Sequence, residues 1–135
     1  MRLLALFLLG MFSAVSLQAF TSMPAEQLRK EQKNITIIDI RTVGEWKETG
    51  IIEGSHLITF FNRLGKYDID KWMSEFEKVV PNANEPFVLV CAHASRTKLV
   101  ANFLESKLGY KKVYDLKDGI EKGWIQTSKF PTVKH

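Results

Sequence analysis

Two short apolar runs, "ITIIDI" (35–40) and "PFVLVC" (86–91), constrain the fold of this chain more than any other feature. Both are too short for an ordinary helix, and "ITIIDI" is rich in β-branched residues. They are apolar at consecutive rather than alternate positions, the pattern of strands covered on both faces. Helices must supply that cover. "DIDKWMSEFEKVV" (68–80) offers one, with Ile69, Trp72, Met73, Phe76 and Val80 at helical spacing before Pro81 ends it. From Arg96 a second stripe runs through Leu99, Val100, Phe103, Leu104 and Leu108, with Gly109 as the stop. "TSMPAEQLRKE" reads as a helix with Thr21 or Ser22 as N-cap and Pro24 in its first turn, and "VGEWKETG" as a brief helix ending at Gly50. "SHLITF" is a weaker strand, "KKVYDL" a last short one, and "DGIEKGWI" a final helical turn before Pro131. Strands alternating with helices predict an α/β fold, a mostly parallel central sheet flanked by helices on both faces.

The N-terminus carries a different signal. Arg2, an apolar stretch from Leu3 to Val15 and the small residue Ala19 have the layout of a secretory signal peptide, with cleavage expected after Ala19. The stretch is shorter than the roughly 20 residues that cross a bilayer core, so no stable span is expected after cleavage. The expected location is periplasmic or secreted. Residues 20–135 then form one domain, long enough to bury a single core. The formal charge of +4 falls only to +3 when Arg2 is removed, and the lysines are scattered, which argues against a nucleic-acid footprint.

A single cysteine is unusual in a small exported domain, because paired disulfides normally stiffen such chains. The core must hold this one. Cys91 is open to three readings: a buried inert thiol, a bridge to another chain, or a reactive group. Its position favours chemistry, since in open parallel sheets reactive groups gather just past the carboxyl ends of strands. Between that strand and a helix opening near Ser95 or Arg96, the main-chain amides of Ala92, His93, Ala94, Ser95, Arg96 and Thr97 belong to no ladder. They can form an anion-binding nest, and the helix start and the Arg96 charge add to its field. All three favour a thiolate. These six residues with Cys91 are the candidate substrate-binding and catalytic set.

At this point the sequence resembles the rhodanese-like sulfurtransferases across nearly all of residues 20–135. "IIDIRTVGEWKETGIIEGSHLI" is similar to the family's amino-terminal signature through Asp39, Arg41, Glu45, Trp46, Gly50 and Gly54. "VYDLKDGIEKGWIQTSKFPTV" is similar to its carboxy-terminal one through Leu116, Gly119, Ile120, Trp124 and Pro131, and "VLVCAHASRT" matches the active-site strand and loop. The spacing Cys91-x4-Arg96 is one residue shorter than the Cys-x5-Arg cradle of cysteine phosphatases. The resemblance implies a rhodanese-like fold and a Cys91 persulfide that passes sulfane sulfur from a small anionic donor such as thiosulfate to cyanide or a thiol acceptor, including a protein thiol. It implies no cofactor and no metal. Phosphatase or arsenate reductase chemistry is the weaker relation.

Several positions depart from the family pattern. Ala94 stands where glycine is common, Ile51 and Glu53 replace histidine and proline, and Asp118 replaces the first of two glycines. If residue 94 needs positive φ, alanine costs roughly 1 kcal/mol. These departures motivate a competing reading, a catalytically silent binding module or sulfur carrier. His93 reads equally as a donor to sulfonate oxygens or as a solvated loop residue, while His56, His93 and His135 are too dispersed for a metal site. Trp46, Trp72 and Trp124 read as packing residues. Asp39 and Arg41 read first as a structural ion-pair network, with Glu45 as a candidate further member, and second as direct substrate contacts. The Arg96 guanidinium either faces outward to an acidic partner or joins its amide in binding anions.

Overall fold

A computed structural model describes residues 20–135, so the signal-peptide reading of residues 1–19 lies outside the described residues. Five parallel strands, β1 (Thr21–Met23), β2 (Thr36–Asp39), β3 (His56–Leu57), β4 (Phe87–Val90) and β5 (Val113–Leu116), form one sheet in the order β1-β5-β4-β2-β3. The helices are α1 (Ala25–Glu31), α2 (Val43–Thr49), α3 (Ile69–Val79), α4 (Ser95–Leu108) and α5 (Gly119–Thr127). The predicted α/β architecture is the observed one.

The unbroken apolar runs follow from the central positions of β4 and β2. All four residues of β4 are buried, and the strand period sends them to opposite faces. Phe87, Leu89 and Cys91 join a core with Trp72 and Phe76 of α3 and Val100, Ala101 and Leu104 of α4. Val88 and Val90 join the opposite core with Leu28 of α1 and Ile120 and Trp124 of α5. Trp46, Trp72 and Trp124 are all buried, as their packing role requires.

The structure corrects four expectations. Thr21 and Ser22 do not cap a helix. They lie in β1, where Ser22 pairs in register with Asp115 and its hydroxyl donates to that carboxylate at 2.7 Å. Long-range pairing overrides a local capping signal there, and Pro24 takes the N-cap position of α1. "SHLITF" yields only the two-residue edge strand β3. In α4 the sheet-facing side is Thr97, Val100, Ala101 and Leu104, so Leu99, one residue or about 100° round the helix, is 66% exposed, and Leu108, at the end of the helix, is 43% exposed. The closing turn is a nine-residue helix, α5, wound with π geometry.

Candidate active site

Cys91 follows the central strand because the β4 ladder ends at Val90, whose carbonyl accepts from the Ile40 amide at 3.0 Å. The chain then turns through three residues into the fourteen-residue α4. Ala94 makes the turn in the left-handed region, at φ 65° and ψ 9°, so the positive φ expected of this position is present. Among the described residues, no protein acceptor takes the amides of Ala92 to Thr97 in a hydrogen bond outside the helix ladder. A loop of uncommitted amides at a helix start is a site of positive potential.

The loop is held from below by α5. The Ile120 amide donates to the Cys91 carbonyl at 2.9 Å and the Glu121 amide to the Ala92 carbonyl at 3.2 Å. Gly119 makes this approach possible: its φ is +74°, and a Cβ there would run into the Ala92 carbonyl and the His93 amide.

The two arginines have different duties. Arg41 is fully buried and bonds Asp39 through Nε (3.0 Å) and Nη2 (2.8 Å), the Thr49 hydroxyl at 2.7 Å and the Gly50 carbonyl at 3.0 Å. This is the predicted structural pair, but Glu45 does not extend it. Glu45 of α2 instead accepts from both Arg96 Nη1 (2.8 Å) and Nη2 (2.7 Å) of α4. It is also the N3 member of a capping box with Thr42 at the start of α2, which fixes its direction toward α4. The Arg96 hydrogen bonds hold the Glu45 carboxyl at about 2, and the same pair pushes the Arg96 guanidinium up. A cavity of about 560 Å³ adjoins this pair, lined by Thr42, Glu45, Phe61, Arg63, Arg96 and Leu99.

The remaining predicted residues sit close by. His93 is mostly exposed and its Nε2 lies 2.9 Å from Glu121 Oε2. Ser95 and Arg96 open α4. Cys91 is 1% exposed, so the thiol is not open to solvent as a reactive group at the sequence's surface would be. Its sulfur points with Leu89 toward α4, under Thr97, and donates to Thr97 Oγ1 at 3.5 Å. The Thr97 hydroxyl in turn donates to Asp115 Oδ2 at 3.3 Å. Asp115, fully buried, also receives Ser22 Oγ (2.7 Å) and faces Lys98 Nζ (3.4 Å). Neither Asp115 nor Ser22 belongs to the predicted set. The one available signal was a carboxylate in an otherwise apolar strand, "KKVYDL". Among the described residues, no group of three or more His, Cys, Asp or Glu side chains could hold a metal ion, and no helix is long and apolar enough to cross a membrane.

A parallel five-stranded α/β domain with one cysteine just past its central strand is the class these features define. The sequence model of the rhodanese-like domain matches residues 24–126, and the chain belongs to that family. An uncharacterized protein of Rickettsia prowazekii is 30% identical over 103 residues, covering 70% of this chain and 80% of its own. Among solved structures, a rhodanese-related protein of Thermoplasma volcanium is similar, with TM-score 0.65 and 24% identity, over 86% of this chain and 100% of its own. A polysulfide-sulfur transferase homodimer of Wolinella succinogenes is similar too, with TM-score 0.61 and 20% identity, over 87% of this chain and 80% of its own.

Proposed function

We propose that the protein is an exported single-domain sulfurtransferase in which Cys91 carries the sulfur. The supporting observation is the position of Cys91 at the base of a loop whose amides, from Ala92 to Thr97, are uncommitted at the start of α4. The similar Wolinella succinogenes protein, a polysulfide-sulfur transferase, agrees in kind. In the first step the Cys91 thiolate attacks the outer sulfur of thiosulfate. A new S–S bond forms, the old one breaks, and sulfite leaves with the electron pair. In the second, a thiolate or cyanide attacks the outer sulfur of the persulfide and Cys91 departs as thiolate. Loop amides stabilise the sulfur's negative charge at both ends of the cycle, and no metal or nucleotide is called on. Because Cys91 is 1% exposed, donor entry requires a local opening over the residue.

Intact-mass measurement after thiosulfate treatment tests this reading. The expected result is a gain of one sulfur atom, absent in Cys91→Ser. An unchanged mass with the thiol shown reduced overturns it. The burial of Cys91 favours one second reading, a silent binding module. Turnover of thiosulfate and cyanide that disappears in Cys91→Ser rejects it; absent turnover with the fold intact selects it.

A further inference from the structure

Among the described residues, the side-chain hydrogen-bond partner of the sulfur is the Thr97 hydroxyl, which has one hydrogen and two candidate acceptors. Thr97 Oγ1 gives that hydrogen to Asp115 Oδ2, so it presents a lone pair to the sulfur, and Cys91 is the donor at 3.5 Å. A thiolate reverses this demand, because an anion accepts and does not donate. The hydroxyl must then turn its hydrogen to the sulfur and release Asp115. Asp115 can be released, since Ser22 Oγ keeps Oδ1 at 2.7 Å and Lys98 Nζ faces Oδ2 at 3.4 Å.

We infer that Asp115 is a positioning residue of the sulfur site, which sets the direction of the Thr97 hydroxyl and thereby couples it to the protonation of Cys91. The inference rests on the sulfur-carrier reading but concerns the unloaded thiol. When Cys91 loses its proton to solvent, the Thr97 hydrogen swings from Asp115 to the sulfur and Lys98 closes on the freed carboxylate oxygen. Other charges border the loop: Arg96 paired with Glu45, Asp39 paired with Arg41, and Glu121 beside His93. Among the described residues none of these hydrogen-bonds Thr97; of the charged groups, Asp115 is the one that accepts from its hydroxyl.

Thiolate absorbance near 240 nm measures this directly, because the chain has one cysteine and Cys91→Ser supplies the baseline. An amide competes for the Thr97 hydrogen less than a carboxylate does. Asp115→Asn is therefore expected to bring thiolate in about one pH unit lower, a tenfold change in the thiolate-to-thiol ratio. In a Thr97→Val background that shift should shrink by more than half, and in a Thr97→Ser background it should return. A shift that survives Thr97→Val at more than half its size shows that Asp115 acts through space or through the fold, and overturns the inference. If Asp115→Asn does not fold by circular dichroism, Lys98→Met repeats the test from the surface. Removing the second donor ties the Thr97 hydrogen to Asp115 and raises the midpoint, and Thr97→Val must again remove more than half of the change. Sulfur loading is scored separately with thiosulfate. Loss of loading with the pH shifts intact fails the sulfurtransferase reading alone.

Discussion

Two neighbouring strands, β2 and β4, are each followed by an arginine, Arg41 in the turn after β2 and Arg96 at the opening of α4, and the two ends are used in opposite ways. After β2, Arg41 spends its guanidinium on Asp39, Thr49 and Gly50, all within nine residues, and is fully buried. After β4, Arg96 reaches 51 residues back to Glu45 and stays partly exposed, while the amides around it are left uncommitted. The first end is closed by its own side chains. The second is held open by contacts from other elements, Glu45 from α2 and the amides of α5, so its polar groups remain free for a ligand. The candidate site is made here by assigning hydrogen-bond capacity elsewhere.

The largest expected effect comes from the closed end. Arg41→Ala leaves Asp39 as a buried charge without its partner and should cost about 3–5 kcal/mol in urea unfolding. A loss below 1 kcal/mol would erase the contrast between the two ends. Next is Gly119→Ala, which sets a Cβ against the Ala92 carbonyl in a left-handed residue and is expected to cost about 2–3 kcal/mol, with sulfur loading falling as the loop is displaced. Arg96→Ala should cost only about 1 kcal/mol, because its ion pair is partly solvated and screened.

Glu45 sharpens the same contrast through pH. Its folded value of about 2 lies below the ordinary 4.5, so its contribution is fully present above pH 4.5 and is lost as pH falls toward 2. Thermal melts across that window should drop more steeply for the wild type than for Glu45→Gln. The smallest effect runs in the favourable direction. Ala94→Gly relieves a residue held at φ 65° and should stabilise the fold by roughly 1 kcal/mol at most, read from the melting midpoint.

The elements that the sequence made legible are those whose signal is local. The runs at 35–40 and 86–91 announce β2 and β4 because burial on both faces demands apolar residues at every position. The place of Cys91 and the spacing to Arg96 are readable for the same reason, being contained in one loop. β1 is not legible, since three residues pairing with β5 across more than ninety positions leave only the polar string "TSM", which a capping rule claims first. The Glu45–Arg96 pair is half legible: Thr42-x-x-Glu45 is the capping-box pattern, but nothing local says that the same carboxylate also reaches α4. Burial of the thiol is one of the three readings the sequence leaves open, because strand period fixes the face toward which a side chain points, not what closes over it. Asp115 shows the limit most clearly, as its partners come from β1 and α4, and only the assembled sheet sets Ser22, Thr97 and Lys98 around one carboxylate.

The underside contact from α5 has a consequence for engineering. Grafting residues 91–97 onto another α/β scaffold would transfer the cysteine loop without its foundation, since the carbonyls of Cys91 and Ala92 are gripped from residues 120 and 121. A cassette from Phe87 to Thr127 would carry that seat but not the Glu45 partner of Arg96, and a chain truncated after Lys117 should keep its cysteine while losing the seat beneath it.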